Sequence, residues 1–168
     1  MTRATFTSED NASLVLVVEI GGHSFGLAVR ELAEIVPMAE LSCRGDEPSV
    51  LAGFLNLRGA AVPVLRTSRL LEIASAPVGA EGSIVVVRHG DERFGLVVNA
   101  VRQITATARD AVVALASPVR ASSAARIGER IVPILSLSEL LLQQERLRIE
   151  ELRASHNRRL AELSGVPA

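Results

Sequence analysis

A chain of 168 residues has room for one ordinary domain or two small lobes, and a hydrophobic fraction of 48% excludes a disordered protein. A formal net charge of −1 removes any bulk attraction to nucleic acid or to acidic membranes. With no Trp, no Tyr and four Phe, the chain has no aromatic platform on which single-stranded bases could stack.

Residues 1–12 are polar and read as a disordered lead-in without the basic-then-apolar pattern of a signal peptide. Ser13 to Ile20 is rich in β-branched residues and ends at Gly21-Gly22, which predicts a strand and a hairpin turn. Ser24 to Val29 is the returning strand. Arg30 to Ile35 reads as a helical turn running into a strand, because Pro37 stops a longer helix. Met38 to Ser49 is a loop holding Cys43, Gly45 and Pro48. As the one cysteine, Cys43 cannot form an internal disulfide, which fits a reducing compartment.

Gly53 to Leu65 reads as strand, glycine turn and strand, with Arg58 directly beside the turn. Pro63 cannot donate to a ladder, so its strand is expected at a sheet edge or a bulge. Thr67 to Ile73 is a short helix with Thr67 or Ser68 as its cap. Residues 74–82 form a linker.

The pattern then restarts. Ser83 to Arg88 is a strand, His89 to Glu92 a turn, and Arg93 to Asn99 the returning strand. Phe94-Gly95-Leu96-Val97-Val98 echoes Phe25-Gly26-Leu27-Ala28-Val29, and Val132-Pro133-Ile134-Leu135 echoes Val62-Pro63-Val64-Leu65. Both echoes lie at an offset of about 70 residues, in the same order, so the chain is built from two related halves. The second half lacks the Asn56-Leu57-Arg58-Gly59 turn. Thr105 to Ser117 reads as a loop with a weak strand, and Pro118 to Ile127 stands where the first half has its Gly53-to-Arg58 strand.

From Ser138 to Leu163, leucines recur at helical spacing among Glu, Gln, Arg and Ala, which predicts a helix of ~25 residues and ~37 Å. That is too long for a small lobe to cover, so its far end is expected to project or to meet a partner. No apolar run approaches the ~18 residues needed to cross a bilayer, and the expected location is cytoplasmic.

Residues for catalysis are poor. His23 and His89 sit in hairpin turns and His156 on the terminal helix; all three read as exposed side chains without a role. No cysteine or histidine pair has metal-ligand spacing, and neither glycine-rich stretch has a phosphate-binding fingerprint. No cofactor is implied. Recognition through surfaces is left, with Arg58 as the side chain best suited to it and Glu34 as its nearest acidic candidate.

The order Phe25-Gly26-Leu27-Ala28-Val29, then Leu32-Ala33-Glu34-Ile35, then Gly53 to Val64 with Asn56-Leu57-Arg58-Gly59 and Val62-Pro63-Val64, resembles the CheW-like family, the coupling proteins of bacterial chemotaxis. The likeness spans about residues 13–145. It implies a mainly β fold of two five-stranded SH3-like barrels sharing a core, with lobe one at about 13–73 and lobe two at about 83–137. The C-terminal α-helix of 138–163 follows. It implies a non-enzymatic adaptor between a methyl-accepting chemoreceptor's cytoplasmic tip and a CheA-type histidine kinase, in arrays at the inner membrane. By that resemblance Leu32, Glu34, Ile35, Arg58 and Val62 are the protein-binding positions, with Glu34 and Arg58 expected as an ion pair. Two positions depart from the family habit: Arg66, where an acidic residue is usual, and Asn99, where Asp is usual. They leave open a divergent member in a non-flagellar pathway (pilus motility or second-messenger control) whose partner is reached through the terminal helix. An enzyme or small-ligand sensor is the third reading.

Overall fold

The computed structural model describes residues 4–5, 14–42, 49–107, 112–114 and 121–165. The chain opens with β1 (Ala4–Thr5), β2 (Leu14–Ile20) and β3 (His23–Ala28), then a 3-10 turn at Val29–Glu31 leads into β4 (Leu32–Pro37). The hairpin β5 (Leu51–Leu57) and β6 (Ala60–Leu65) runs into the one-turn helix α1 (Thr67–Leu70). Next come β7 (Ser83–His89), β8 (Glu92–Val98), β9 (Ala100–Ala106), β10 (Val112–Ala114), β11 (Ala121–Ile127) and β12 (Arg130–Leu135). Helix α2 (Leu137–Leu163) closes the described chain and matches the expected helix almost residue for residue.

Two sheets form, ordered β1-β4-β7-β8-β6-β5 and β10-β11-β12-β3-β2-β9. Each holds five strands of six or seven residues plus one short strand, β1 or β10. The five-stranded SH3-like expectation therefore holds for the architecture. Among the described residues no ladder joins the first and last strands of either sheet.

The lobes are not contiguous in sequence. The first sheet takes β4, β5 and β6 from the first half but β7 and β8 from the second. The other sheet takes β2 and β3 from the first half and β9 to β12 from the second. Division at 13–73 and 83–137 is therefore replaced by an exchange of hairpins. The exchange is made at two equivalent corners, Val29–Glu31 after β3 and Asn99 after β8. It is sealed by two equivalent parallel pairings: Val64 of β6 meets Gly95 of β8, and Ile134 of β12 meets Gly26 of β3. The glycines of the repeated Phe-Gly-Leu motif permit that approach. A Cβ on Gly95 would lie 3.1 Å from Val64 Cγ2 of β6 and 2.7 Å from Ile84 Cγ2 of β7, and one on Gly26 would lie 3.4 Å from Ile134 Cγ1 of β12 and 2.7 Å from Val15 Cγ1 of β2.

The core follows from the exchange. One cluster joins both sheets and α2, through Leu16, Leu27, Leu32, Val85, Leu96, Leu135 and Leu140 among others. A second lies within the first sheet alone, around Ala33, Leu55, Val62, Val64, Ile84 and Val86. Strand β7 explains the separation: Ile84 and Val86 face the second cluster, while Val85 and Val87 face the shared one. A strand buried on both faces reads as a continuous apolar run.

Three local expectations are corrected. Of the two places expected for Pro63, the edge is ruled out, since β6 lies between β5 and β8, while a register irregularity lies one residue along, between Leu51 and Gly53 opposite Leu65 and Val64. Phe54, opposite Pro63, spends its backbone N–H and C=O on Ser42, so the Phe54–Pro63 pair exchanges no hydrogen bonds and a missing N–H costs it none. The first residue of β6 to meet β8 is Val64. Helix α1 is capped from Arg66, without a side-chain bond, and Thr67 is buried within it; neither Thr67 nor Ser68 is the cap. Within the stretch 1–12, Ala4 and Thr5 pair with Ile35 and Glu34 as an added strand. The rest of that stretch, and Cys43, lie outside the described residues.

Candidate functional site

Strand β4 carries Glu34 into the interior between β1 and β7, opposite Thr5 and Val86. Its carboxylate is 3% exposed. A charge this deep needs a partner, because desolvation disfavours the ionised form. The β5–β6 hairpin supplies one. Arg58 Nη2 donates to Glu34 Oε2 at 3.2 Å and to Oε1 at 3.3 Å. A single guanidinium nitrogen faces both oxygens, rather than the two-nitrogen fork that Arg often makes. The Arg58 side chain is 58% exposed, so the pair couples a buried anion to a surface cation.

The turn that presents Arg58 is strained. Arg58 and Gly59 both have positive φ, 51° and 85°, as a two-residue type I′ hairpin requires. Among the described residues the chain makes three other two-residue hairpin turns, led by Gly21, Gly90 and Gly128 at φ 57°, 61° and 62°. The Gly21-Gly22 turn has positive φ at both positions, as here, with glycine in the place of Arg58; the Gly90 and Gly128 turns have it at the first position alone. For a side chain with a Cβ that posture costs ~1–2 kcal/mol. Asn56 secures the turn by accepting a hydrogen bond from Gly59 N–H on Oδ1 at 2.9 Å.

Of the other expected contact residues, Leu32 and Ile35 are buried in the shared core, and Val62 is buried in the first sheet's own core. They frame the pair. Leu32 and Ile35 flank Glu34 on β4, and Val62 sits opposite Leu55 on the hairpin that carries Arg58.

Three residues emerge that spacing could not place in these roles. Glu151 of α2 accepts from Val50 N–H at 2.9 Å and from Ser49 Oγ at 3.4 Å. Arg66 donates through Nη1 to the carbonyls of Ser49 and Leu51, at 2.5 and 3.1 Å. Together they clamp the entry to β5. Asn99 accepts from Gly21 N–H on Oδ1 at 2.8 Å, while its own N–H donates to Glu19 O at 2.8 Å. It therefore pins the first hairpin to the corner between β8 and β9. A neutral amide oxygen meets that demand, and Arg66 is tied to main-chain carbonyls, so both departures from the family habit have structural work.

Glu31, beside the first corner, has its carboxyl pKa raised from the ordinary 4.5 by burial, against the lowering influence of Arg30 and His89. Among the described residues no group of His, Cys, Asp and Glu could hold a metal ion, and no helix is long and apolar enough to cross a membrane.

Comparison with known proteins agrees with this geometry. A family model for the CheW-like domain matches residues 14–145. The chain is similar to the chemotaxis protein CheW of Klebsiella aerogenes, with 21% identity over 148 residues covering 84% of this chain and 89% of that protein. Its fold is similar to the crystal structure of the scaffolding protein TtCheW from Thermoanaerobacter tengcongensis, with a TM-score of 0.71 and 19% identity over 77% of this chain and 92% of that one. The chain belongs to the CheW-like family, and so to the non-enzymatic scaffold and adaptor proteins of chemotaxis signalling.

Proposed function

We propose that this protein couples the cytoplasmic tip of a methyl-accepting chemoreceptor to a CheA-type histidine kinase, and is recruited to receptor arrays at the inner membrane for that purpose. The Arg58 turn is part of the contact surface. Glu34 fixes its direction from below, while Leu32, Ile35 and Val62 hold the frame. The observation that carries this reading is the placement of Arg58: an arginine at positive φ leading a hairpin turn, where the other hairpin turns are led by glycine, paired with a buried carboxylate and still 58% exposed. Backbone strain retained at one surface turn points to a use for the side chain there. An exposed guanidinium suits acidic or main-chain acceptors on a partner.

The test is reconstitution with the CheA-type kinase and the receptor cytoplasmic fragment encoded by the same genome. Wild-type protein is expected to co-elute with both and to raise kinase activity in their presence. Arg58→Glu is expected to weaken kinase or receptor binding by about tenfold or more, equivalent to ~1.4 kcal/mol. Circular dichroism confirms that the variant is folded. A wild-type chain that binds neither partner ends the coupling reading; an Arg58→Glu chain that binds both normally removes the turn from the interface.

A further inference from the structure

Helix α2 has two apolar faces, and only one is used. Leu140, Gln143 and Leu147 are buried against the body, and Glu151 ties the same side to Ser49 and Val50. Every large exposed hydrophobic of the helix falls elsewhere: Leu142, Ile149, Leu152, Leu160 and Leu163. At 3.6 residues per turn these five lie within an arc of about 80°, directly opposite the buried face. His156 lies in the middle of that arc. From Ile149 the spacing is three, four, four and three residues, through Leu152, His156, Leu160 and Leu163. That is the seam of an eleven-residue helical repeat, about 21 Å long. Leu142 extends the line toward the body, past Glu145.

The borders of the seam are basic. Arg146 and Arg153 lie along one edge and Arg148 and Arg159 along the other, with Glu150 the nearest acid outside it. This charge pattern selects among occupants. In an antiparallel pair with a second copy, with Leu152 facing Leu160 and His156 facing its equal, each border lies along its own equivalent, Arg146 and Arg153 along one edge and Arg148 and Arg159 along the other. A parallel pair sets the two different borders against each other, Arg146 and Arg153 of one copy along Arg148 and Arg159 of the other, again arginine against arginine. Like charges across such a seam oppose pairing. A membrane surface favours a broad apolar face with aromatic residues, whereas this stripe is narrow and holds none. A seam of this width fits a single helix.

We propose that the outer face of α2 is a docking surface for an amphipathic helix whose apolar stripe is bordered by acidic residues. This surface is separate from the Arg58 turn, so either reading can fail alone. The clamp at Glu151 fixes the direction of the seam relative to the body, and the helix beyond it extends the seam outward.

The test uses the full chain and a synthetic helical peptide with leucines at three-four-four spacing and glutamate on both borders. Binding is followed by fluorescence anisotropy of the labelled peptide. The peptide is expected to bind, more weakly as salt rises. The same peptide with arginine borders is expected to bind at least about tenfold less tightly. Leu152→Glu combined with Leu160→Glu is expected to abolish binding and to leave thermal unfolding unchanged, because those residues are 68% and 50% exposed. Equal affinity for the two peptides overturns the proposal, as does the absence of any binding. Association with phosphatidylglycerol vesicles but not with the peptide overturns it in favour of a membrane. A concentration-dependent dimer in sedimentation that the double substitution abolishes overturns it in favour of a second copy.

Discussion

Truncating Arg58 to Ala leaves the Glu34 carboxylate, 3% exposed, without the Arg58 guanidinium. Breaking a fully buried pair costs about 3–5 kcal/mol, and an exposed pair is worth ~0–1 kcal/mol. This pair is mixed. Arg58 is 58% exposed, so water enters the space it leaves and reaches one edge of the carboxylate. We expect Arg58→Ala to cost about 1–2 kcal/mol. Ala is a clean probe because it bears the same left-handed penalty as Arg, whereas Arg58→Gly relieves it and is expected to be more stable than Arg58→Ala by ~1 kcal/mol. Glu34→Gln removes the charge and keeps the shape; its arginine turns into water, at a cost of about 0–1 kcal/mol. In the Glu34→Gln background, the Ala substitution has little left to remove, so the double variant is expected to resemble Glu34→Gln alone. The coupling is then about 1–2 kcal/mol, the whole Arg58→Ala effect. The measurement is urea unfolding followed by far-UV circular dichroism, since the chain has no Trp or Tyr to report by fluorescence. Effects that add within about 0.3–0.5 kcal/mol would refute the coupling.

Gly95→Ala probes the exchange of hairpins. The added Cβ would lie 2.7 Å from Ile84 Cγ2 and 3.1 Å from Val64 Cγ2, both on fully buried side chains, so the strands must part. The expected cost is ~1–3 kcal/mol, a fall in Tm of about 2–10 °C, and an unchanged melting curve contradicts the close packing of β7 and β6 around Gly95. Glu31 gives a pH test. Its folded pKa is raised, so the folded state holds its proton more tightly; the contribution is fully present below 4.5 and is lost as pH rises through the folded value. Glu31→Gln is expected to match wild type in acid and to gain stability relative to it as pH rises across that window. A stability difference independent of pH shows that burial does not govern this carboxyl.

Periodicity and turn chemistry made most strands, the terminal helix and the two-half plan legible from residues alone, because alternation and glycine placement are local. The exchange was not legible. Alternation assigns faces, but whether Val64 pairs with Gly95 or stays within its own half depends on a contact distant in sequence. The Glu34–Arg58 pair was within reach because two opposite charges flank apolar strands of one half. Glu151 was not, since its partners Ser49 and Val50 are about a hundred residues away and nothing local in α2 distinguishes it from Glu150. Leu32 and Ile35, which flank Glu34, read singly as core more than contact, and only the family resemblance marks them as contact positions; burial places them, with Val62, in the core.

The four hairpin turns bear on function in a way that the family likeness alone does not. All four hold a positive φ at the first position, between 51° and 62°, and in the Gly21-Gly22 turn the second φ is positive too, as it is at Arg58-Gly59. Where shape alone matters, glycine supplies it at Gly21, Gly90 and Gly128 without steric cost. At the fourth the positive φ falls on Arg58, and the penalty is offset by its bond to Glu34 and by the Asn56 clasp on Gly59. Stability by itself does not call for this arrangement, because a glycine at position 58 with an apolar residue at 34 would avoid both the strain and the buried charge. The arrangement is therefore better explained by where it holds the guanidinium than by how firmly it holds the fold. The open seam on α2 shows the same economy reversed: five large apolar side chains are left in water on a helix whose other face already satisfies the core.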